Sequence, residues 1–223
     1  MIKSYFQIFV YDKNNSYLRK SRKRRSRSFV QGFLKLHFLA LDVATGITVT
    51  DIAGTSQSIG ANNSNGIHSA TWLFCSTSPG RGGSGLTNEG AGLTPIFNSA
   101  TNSGIVLGTG SVAITPTDYS LGTQIVDGIT AGTLEHFPCS GTGFTSAGTT
   151  ASFTLERLFR NSSSGTITIN EIGLYGVCVE FSNGGSNIGD INRVCLIRDL
   201  VSPGFAVADG EYLRVVYTLS VTA

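Results

Sequence analysis

The run from Ala151 to Tyr175, ASFTLERLFRNSSSGTITINEIGLY, constrains the fold most, because its alternation has the period of a strand and not of a helix. Phe153, Leu155, Arg157 and Phe159 fall on one side, and Thr154, Glu156, Leu158 and Arg160 on the other. Asn161-Ser-Ser-Ser-Gly165 supplies a turn, since Asn and Gly tolerate positive φ and serine hydroxyls bond to nearby backbone. A second run puts Ile167, Ile169 and Glu171 on one face and Thr166, Thr168, Asn170 and Ile172 on the other. The expectation is two strands folded back on each other.

Much of the chain repeats this pattern. Strands are expected at Tyr5–Tyr11, Thr48–Ile52, Gly104–Leu107, Ser111–Ile114, Gln124–Asp127, Leu134–Phe137, Val177–Phe181, Val194–Asp199 and Tyr212–Val221. In the last, Leu213, Val215, Tyr217, Leu219 and Val221 alternate with polar or smaller neighbours, after an Asp209-Gly210 turn signal. Charged residues make up only 13% of the chain and glycines number 28, which suits short strands, tight turns and polar but uncharged surfaces. The fold class is therefore all-β: an antiparallel β-sandwich or jelly roll, with one short N-terminal helix. Ser28–Leu41 is the helix candidate, capped by Ser28, with Phe29, Phe33 and Leu36 at helical spacing. The stretch 54–103, rich in Gly, Ser, Thr and Asn, reads as a long polar loop or insertion. Residues 28–223 are expected to form one domain. The final strand, if exposed, would be able to complete a neighbour's sheet.

Charge is distributed unevenly. Residues 1–35 carry ten lysines and arginines against the single acid Asp12, a net +9, whereas residues 36–223 sum to −7. The dense part is Arg19, Lys20, Arg22, Lys23, Arg24, Arg25 and Arg27. Unpaired charge is too costly to bury, so residues 1–27 are expected to be a solvated basic arm or to contact something acidic. That contact is a neighbouring subunit's acidic patch, nucleic acid through its backbone phosphates, or a membrane surface. No aromatic residue is interleaved in the block, so base stacking is not suggested.

The chemistry-bearing patterns lack their structural context. Gly80-Arg-Gly82-Gly83-Ser-Gly85 matches GxGxxG formally, but it has no strand before it and no helix after it. His37, His68 and His136 lie far apart, and no GxSxG or GK[ST] occurs. Cys75, Cys139, Cys178 and Cys195 have long irregular spacings, which argues for free buried thiols over a zinc site or disulfides. No catalytic, cofactor or metal site, no small-molecule substrate and no enzymatic activity is expected.

Four segments taken together resemble structural proteins of tailed bacteriophages. They are Val49-Thr50-Asp51-Ile52-Ala53-Gly54-Thr55; Ile105-Val-Leu-Gly108-Thr-Gly110 leading to Thr115-Pro116-Thr117-Asp118-Tyr119-Ser-Leu121; Leu155–Asn161 followed by Ile167-Thr-Ile169-Asn-Glu171-Ile-Gly173-Leu174-Tyr175; and Cys195-Leu-Ile197-Arg198-Asp199-Leu with Val207–Leu213 and the closing strand. The Glu-Ile-Gly-Leu-Tyr element before a Leu-Ile-Arg strand is similar to the N-terminal domain of tail-collar and tail-fibre proteins. The resemblance implies a non-enzymatic virion component (tail, neck or capsid decoration) that forms homo-oligomers and meets other virion proteins. It makes no demand on residues 1–27. Two other readings remain open. One is a jelly-roll coat protein whose arm binds packaged nucleic acid. The other is a secreted carbohydrate- or cell-binding sandwich, cleaved near residue 44 and carrying a Cys178–Cys195 disulfide.

Overall fold

The computed structural model describes residues 2–26, 28–35, 47–59, 71–72, 103–181 and 188–222. It is nearly all β, with antiparallel sheets and one short helix at 31–35. The strands are β1 (Ile2–Tyr11), β2 (Tyr17–Lys20), β3 (Arg24–Ser26), β4 (Ile47–Thr50), β5 (Ser56–Ile59), β6 (Thr71–Trp72), β7 (Gly104–Gly108), β8 (Glu135–Ala147), β9 (Thr150–Arg160), β10 (Ile167–Phe181), β11 (Ile188–Val207) and β12 (Tyr212–Thr222). The first sheet runs β2-β1-β12-β9-β8, with β3 beside β2 on the same edge of β1. The second holds β11 against β10, whose other edge takes β7 and β6. β4 and β5 form a separate hairpin.

The inward faces of the two larger sheets share one apolar core. Phe6, Ile8 and Val10 of β1, Leu213, Val215 and Tyr217 of β12, and Leu155 and Phe159 of β9 meet Ile105, Ile169, Leu174, Leu196 and Ile197 from the second sheet. The alternation read in the sequence sets these faces: β12 buries every second residue along most of its length, and β9 does so from Leu155 to Phe159. Fully burying side chains of this size stabilises by about 1.5–3 kcal/mol each.

The Ala151–Tyr175 stretch is not a hairpin. β9 pairs with β12 and β8, while β10 pairs with β11, β7 and β6. Residues 161–166 cross from one sheet to the other. Asn161 directs the crossing with its side chain, donating to the carbonyls of Gly165 (2.7 Å) and Val207 (2.8 Å). Its own carbonyl accepts from the amide and hydroxyl of Ser163. The positive φ falls on Ser164, at 62°, and not on Asn161 or Gly165.

The N-terminal segment is not an arm detached from the body. β1 pairs with β12 from Ile2↔Val221 through Tyr11↔Tyr212, and β2 and β3 cover the outer edge of β1. Long exposed side chains need not leave a sheet edge to reach water, and charged edge strands discourage sheet-to-sheet association. β12 thus lies between β1 and β9, and its edges are closed within the chain.

Other expectations meet mixed outcomes. Within the described part of 28–41, the helix begins only at residue 31, because 28–30 are spent on β11: Phe29 bridges Ile197, and the Val30 amide donates to the Leu196 carbonyl. Residues 111–114 are not a strand, and 124–127 make only isolated bridges. Of the expected loop 54–103, the described part contains β5, β6 and the start of β7's approach; Gly80–Gly85, His37, His68 and Cys75 lie outside the described residues. Cys139 and Cys195 are buried free thiols, and the backbone of Cys178 stands opposite Asn192 while Cys195 stands opposite Tyr175.

Candidate functional site

Two features concentrate chemistry: a buried polar lock under the second sheet and a basic, aromatic face on the first.

The lock forms where β10 passes a register shift between Ile169 and Glu171, a bulge that turns Glu171 away from the core face of Ile167 and Ile169 and under loop 109–123. Its carboxylate is fully buried. It accepts from the amides of Gly110 (3.1 Å), Gly122 (3.1 Å) and Thr123 (2.8 Å), and from Nε of Arg198 (2.9 Å). Arg198, on β11, also donates to Asp118 at 2.6 Å and to the Val112 carbonyl at 3.2 Å. Burial alone would raise Asp118, but bonds from Thr115 and Arg198 hold it below the usual carboxylate range. The Tyr175 hydroxyl accepts the Leu121 amide at 2.7 Å, and burial pushes its ionisation well up. Together these groups fasten loop 109–123 to the outer side of the second sheet, alongside Val30, Val106, Leu121 and Cys195. Gly108 and Gly110 admit the carboxylate, since a Cβ at either would collide with Glu171.

Three of the four scattered segments singled out in the sequence therefore have a shared use. Gly108, Gly110, Thr115, Asp118, Glu171, Tyr175 and Arg198 meet in the lock, and Asp199 accepts the buried Tyr217 hydroxyl at 2.8 Å across the two sheets. Asp51 organises the β4–β5 turn by accepting from Ala53 and Thr55, with Gly54 at φ 83°. Arg198 finds its partner across the strand in Glu171, and the pair is buried. Glu156 pairs with Arg214, while Arg157 turns inward and donates to the carbonyls of Phe137, Ser103 and Ile105.

The basic residues divide between two faces. Arg19 forks onto Glu211, with both bonds at 2.8 Å, reaches the Ala206 carbonyl at 2.7 Å and sits over the Phe205 ring. Arg24 donates to the Ser202 carbonyl at 2.8 Å. These two tie the first sheet's edge to β11. Lys20 is opposite Phe9, Arg25 is opposite Tyr5, and the Lys23 ammonium lies 4.8 Å from the Tyr5 ring centre. Those three share the outer face of the first sheet. Arg22 is exposed between β2 and β3, and Arg27 lies outside the described residues.

That outer face is also aromatic, which the order of residues in the basic block conceals. Tyr5, Phe9 and Tyr11 come from β1 and Tyr212 from β12, all half-buried, with Tyr17 exposed beside Tyr11. Arg214 lies over Phe9 and Arg160 over Tyr212. Among the described residues, no three His, Cys, Asp or Glu side chains converge to hold a metal ion, and no helix is long and apolar enough to cross a membrane.

Fold and site together define an antiparallel all-β protein with an internally locked second sheet and an open basic-aromatic first sheet. No family model, curated protein or solved structure matches the chain.

Proposed function

We propose that this chain is a non-enzymatic structural component of a bacteriophage particle, a tail, neck or capsid-surface protein that assembles in the virion with copies of itself and with other virion proteins. The observation that carries the reading is the lock. The residues of the segments that resemble tailed-phage proteins direct their polar groups inward, onto backbone amides and one another, and so fix a loop's shape. Such an arrangement suits a rigid β-sandwich building block whose outer surfaces make the contacts.

Contacts come from the surface of the sheet and its edge, not from a free tail. β8 is the last described strand of the first sheet, and near its distal end Thr145, Ser146 and Ala147 are exposed and Phe144 is 71% exposed. An exposed apolar side chain on a strand that ends a sheet is a natural joint between subunits. The test is electron microscopy and sedimentation of the purified chain in low and high salt, beside Phe144→Lys. Rings, tubes or filaments that the substitution weakens are expected. Single subunits at every concentration and salt would count against the proposal, and closed shells carrying nucleic acid would favour a coat protein.

A further inference from the structure

We propose that the outer face of the first sheet binds single-stranded nucleic acid, with Tyr5, Phe9 and Tyr11 stacking bases and Lys20, Lys23 and Arg25 holding phosphates. This inference stands independently of the assembly reading.

Three observations carry it. First, the rings line one strand on one face: alternation along β1 puts Ser4, Phe6, Ile8 and Val10 in the core and leaves Tyr5, Phe9 and Tyr11 half-buried on the other side. Phe9 and Tyr11, two apart on the strand, stand about 6.6 Å from each other, a spacing close to that of successive nucleotides in an extended strand; Tyr5 lies two steps further along, with Gln7 between it and Phe9. Secondly, cations border the rings in register, with Lys20 opposite Phe9 and Arg25 opposite Tyr5, while Lys23 and Arg214 lie over the Tyr5 and Phe9 rings, so that a stacking base takes their place on the ring or stacks on the Arg214 guanidinium. An aromatic platform bordered by phosphate-binding cations is the arrangement that takes single strands without sequence preference. Thirdly, the face is short of acid. Its described carboxylates are Glu156 and Glu135, already engaged by Arg214 and by Arg160 at 3.8 Å. A paired duplex hides its base faces, so the rings would gain nothing from it. An acidic protein would use the cations and leave the rings idle.

The experiment is fluorescence anisotropy of a labelled oligothymidine titrated with the full chain, beside duplex DNA of equal length and polyglutamate, over a range of salt. Binding is expected to prefer the single strand. Its log–log salt slope is expected at about −2, from three phosphate contacts at roughly 0.7 each. Tyr5→Leu and Phe9→Leu, which keep an apolar strand residue, are each expected to weaken binding about tenfold even in high salt, while leaving the salt slope unchanged. Lys20→Glu with Lys23→Glu is expected to flatten the slope; circular dichroism establishes that each variant is folded. Absence of binding, equal binding to polyglutamate, or indifference to both ring substitutions would overturn the proposal.

Discussion

Glu171→Gln is the substitution that most sharply probes the buried lock. One carboxylate oxygen faces the amides of Gly110 and Thr123, and the other faces the Gly122 amide and Nε of Arg198. A glutamine preserves the shape and one acceptor. It places an NH2 against two donors and leaves the Arg198 guanidinium, 4% exposed, with Asp118 as its remaining acidic partner in the lock. Removing one member of a buried pair costs about 3–5 kcal/mol. Because Asp118 still neutralises Arg198 in part, about 3–4 kcal/mol is expected. That is a large fraction of a typical total of about 5–15 kcal/mol, and with a urea slope of about 2–3 kcal/mol/M it shifts the midpoint by about 1–2 M. Arg198→Met is expected to cost a similar amount, and the double variant less than the sum, since the two residues act as one unit. Hydrogen exchange supplies the local readout: the amides of Gly110, Leu121, Gly122 and Thr123 lose protection before the strands do. A cost under about 1 kcal/mol, additivity of the two substitutions, or unchanged loop protection would refute the assignment of the lock.

Other outcomes follow from the same structure. His136 is buried edge-on to Phe159, with neither ring nitrogen hydrogen-bonded among the described residues, and burial followed by the Arg157 charge lowers its pKa to about 4. The unfolded chain, with a pKa near 6.5, protonates first, so this stabilisation is complete above about pH 6.5 and is lost as pH falls towards 4. Its size is about 3 kcal/mol, and His136→Phe is expected to flatten urea stability over that range. Asn161→Ala unties the crossing between sheets and leaves the Gly165 and Val207 carbonyls short of a donor, at a cost of about 2–3 kcal/mol by thermal unfolding. Deleting residues 1–27 removes β1 and strips Phe6, Ile8 and Val10 from the core, a loss of about 5–9 kcal/mol in burial. The expected product is unfolded or aggregated by light scattering, not a stable body lacking a tail.

The parts of this fold legible in the sequence are those set by single strands. Alternation alone put Arg157 on the same face as Leu155 and Phe159, where it is buried. It also put Glu171 with Ile167 and Ile169, but the bulge after Ile169 sends Glu171 to the opposite side of the sheet and turns Ile172 into the core. Periodicity says which way a side chain points but not which strand lies beside it. Asn161–Gly165 has the composition of a hairpin turn, yet its polar side chains serve equally well to bridge two sheets. The amide partners of Glu171 come from 48 to 61 residues away, through Gly110, Gly122 and Thr123, and no local pattern announces them. The basic block shows the same limit. Its charges do avoid the core, as the cost of burial requires, but an edge strand meets that demand as well as a free arm. The rings beside it arrive from β1 and β12, so a block without aromatics becomes half of an aromatic surface.

Both proposals about function require residues 2–26 to be strands of the first sheet. Hydrogen exchange of the intact chain, followed in peptides from 2–11, 17–26 and 212–222, measures this directly. The structure predicts that β1 is protected to the same degree as β12, with β2 and β3 weaker, as edge strands are. Exchange throughout 2–26 at the rate of an unstructured chain, beside a protected β12, would contradict it.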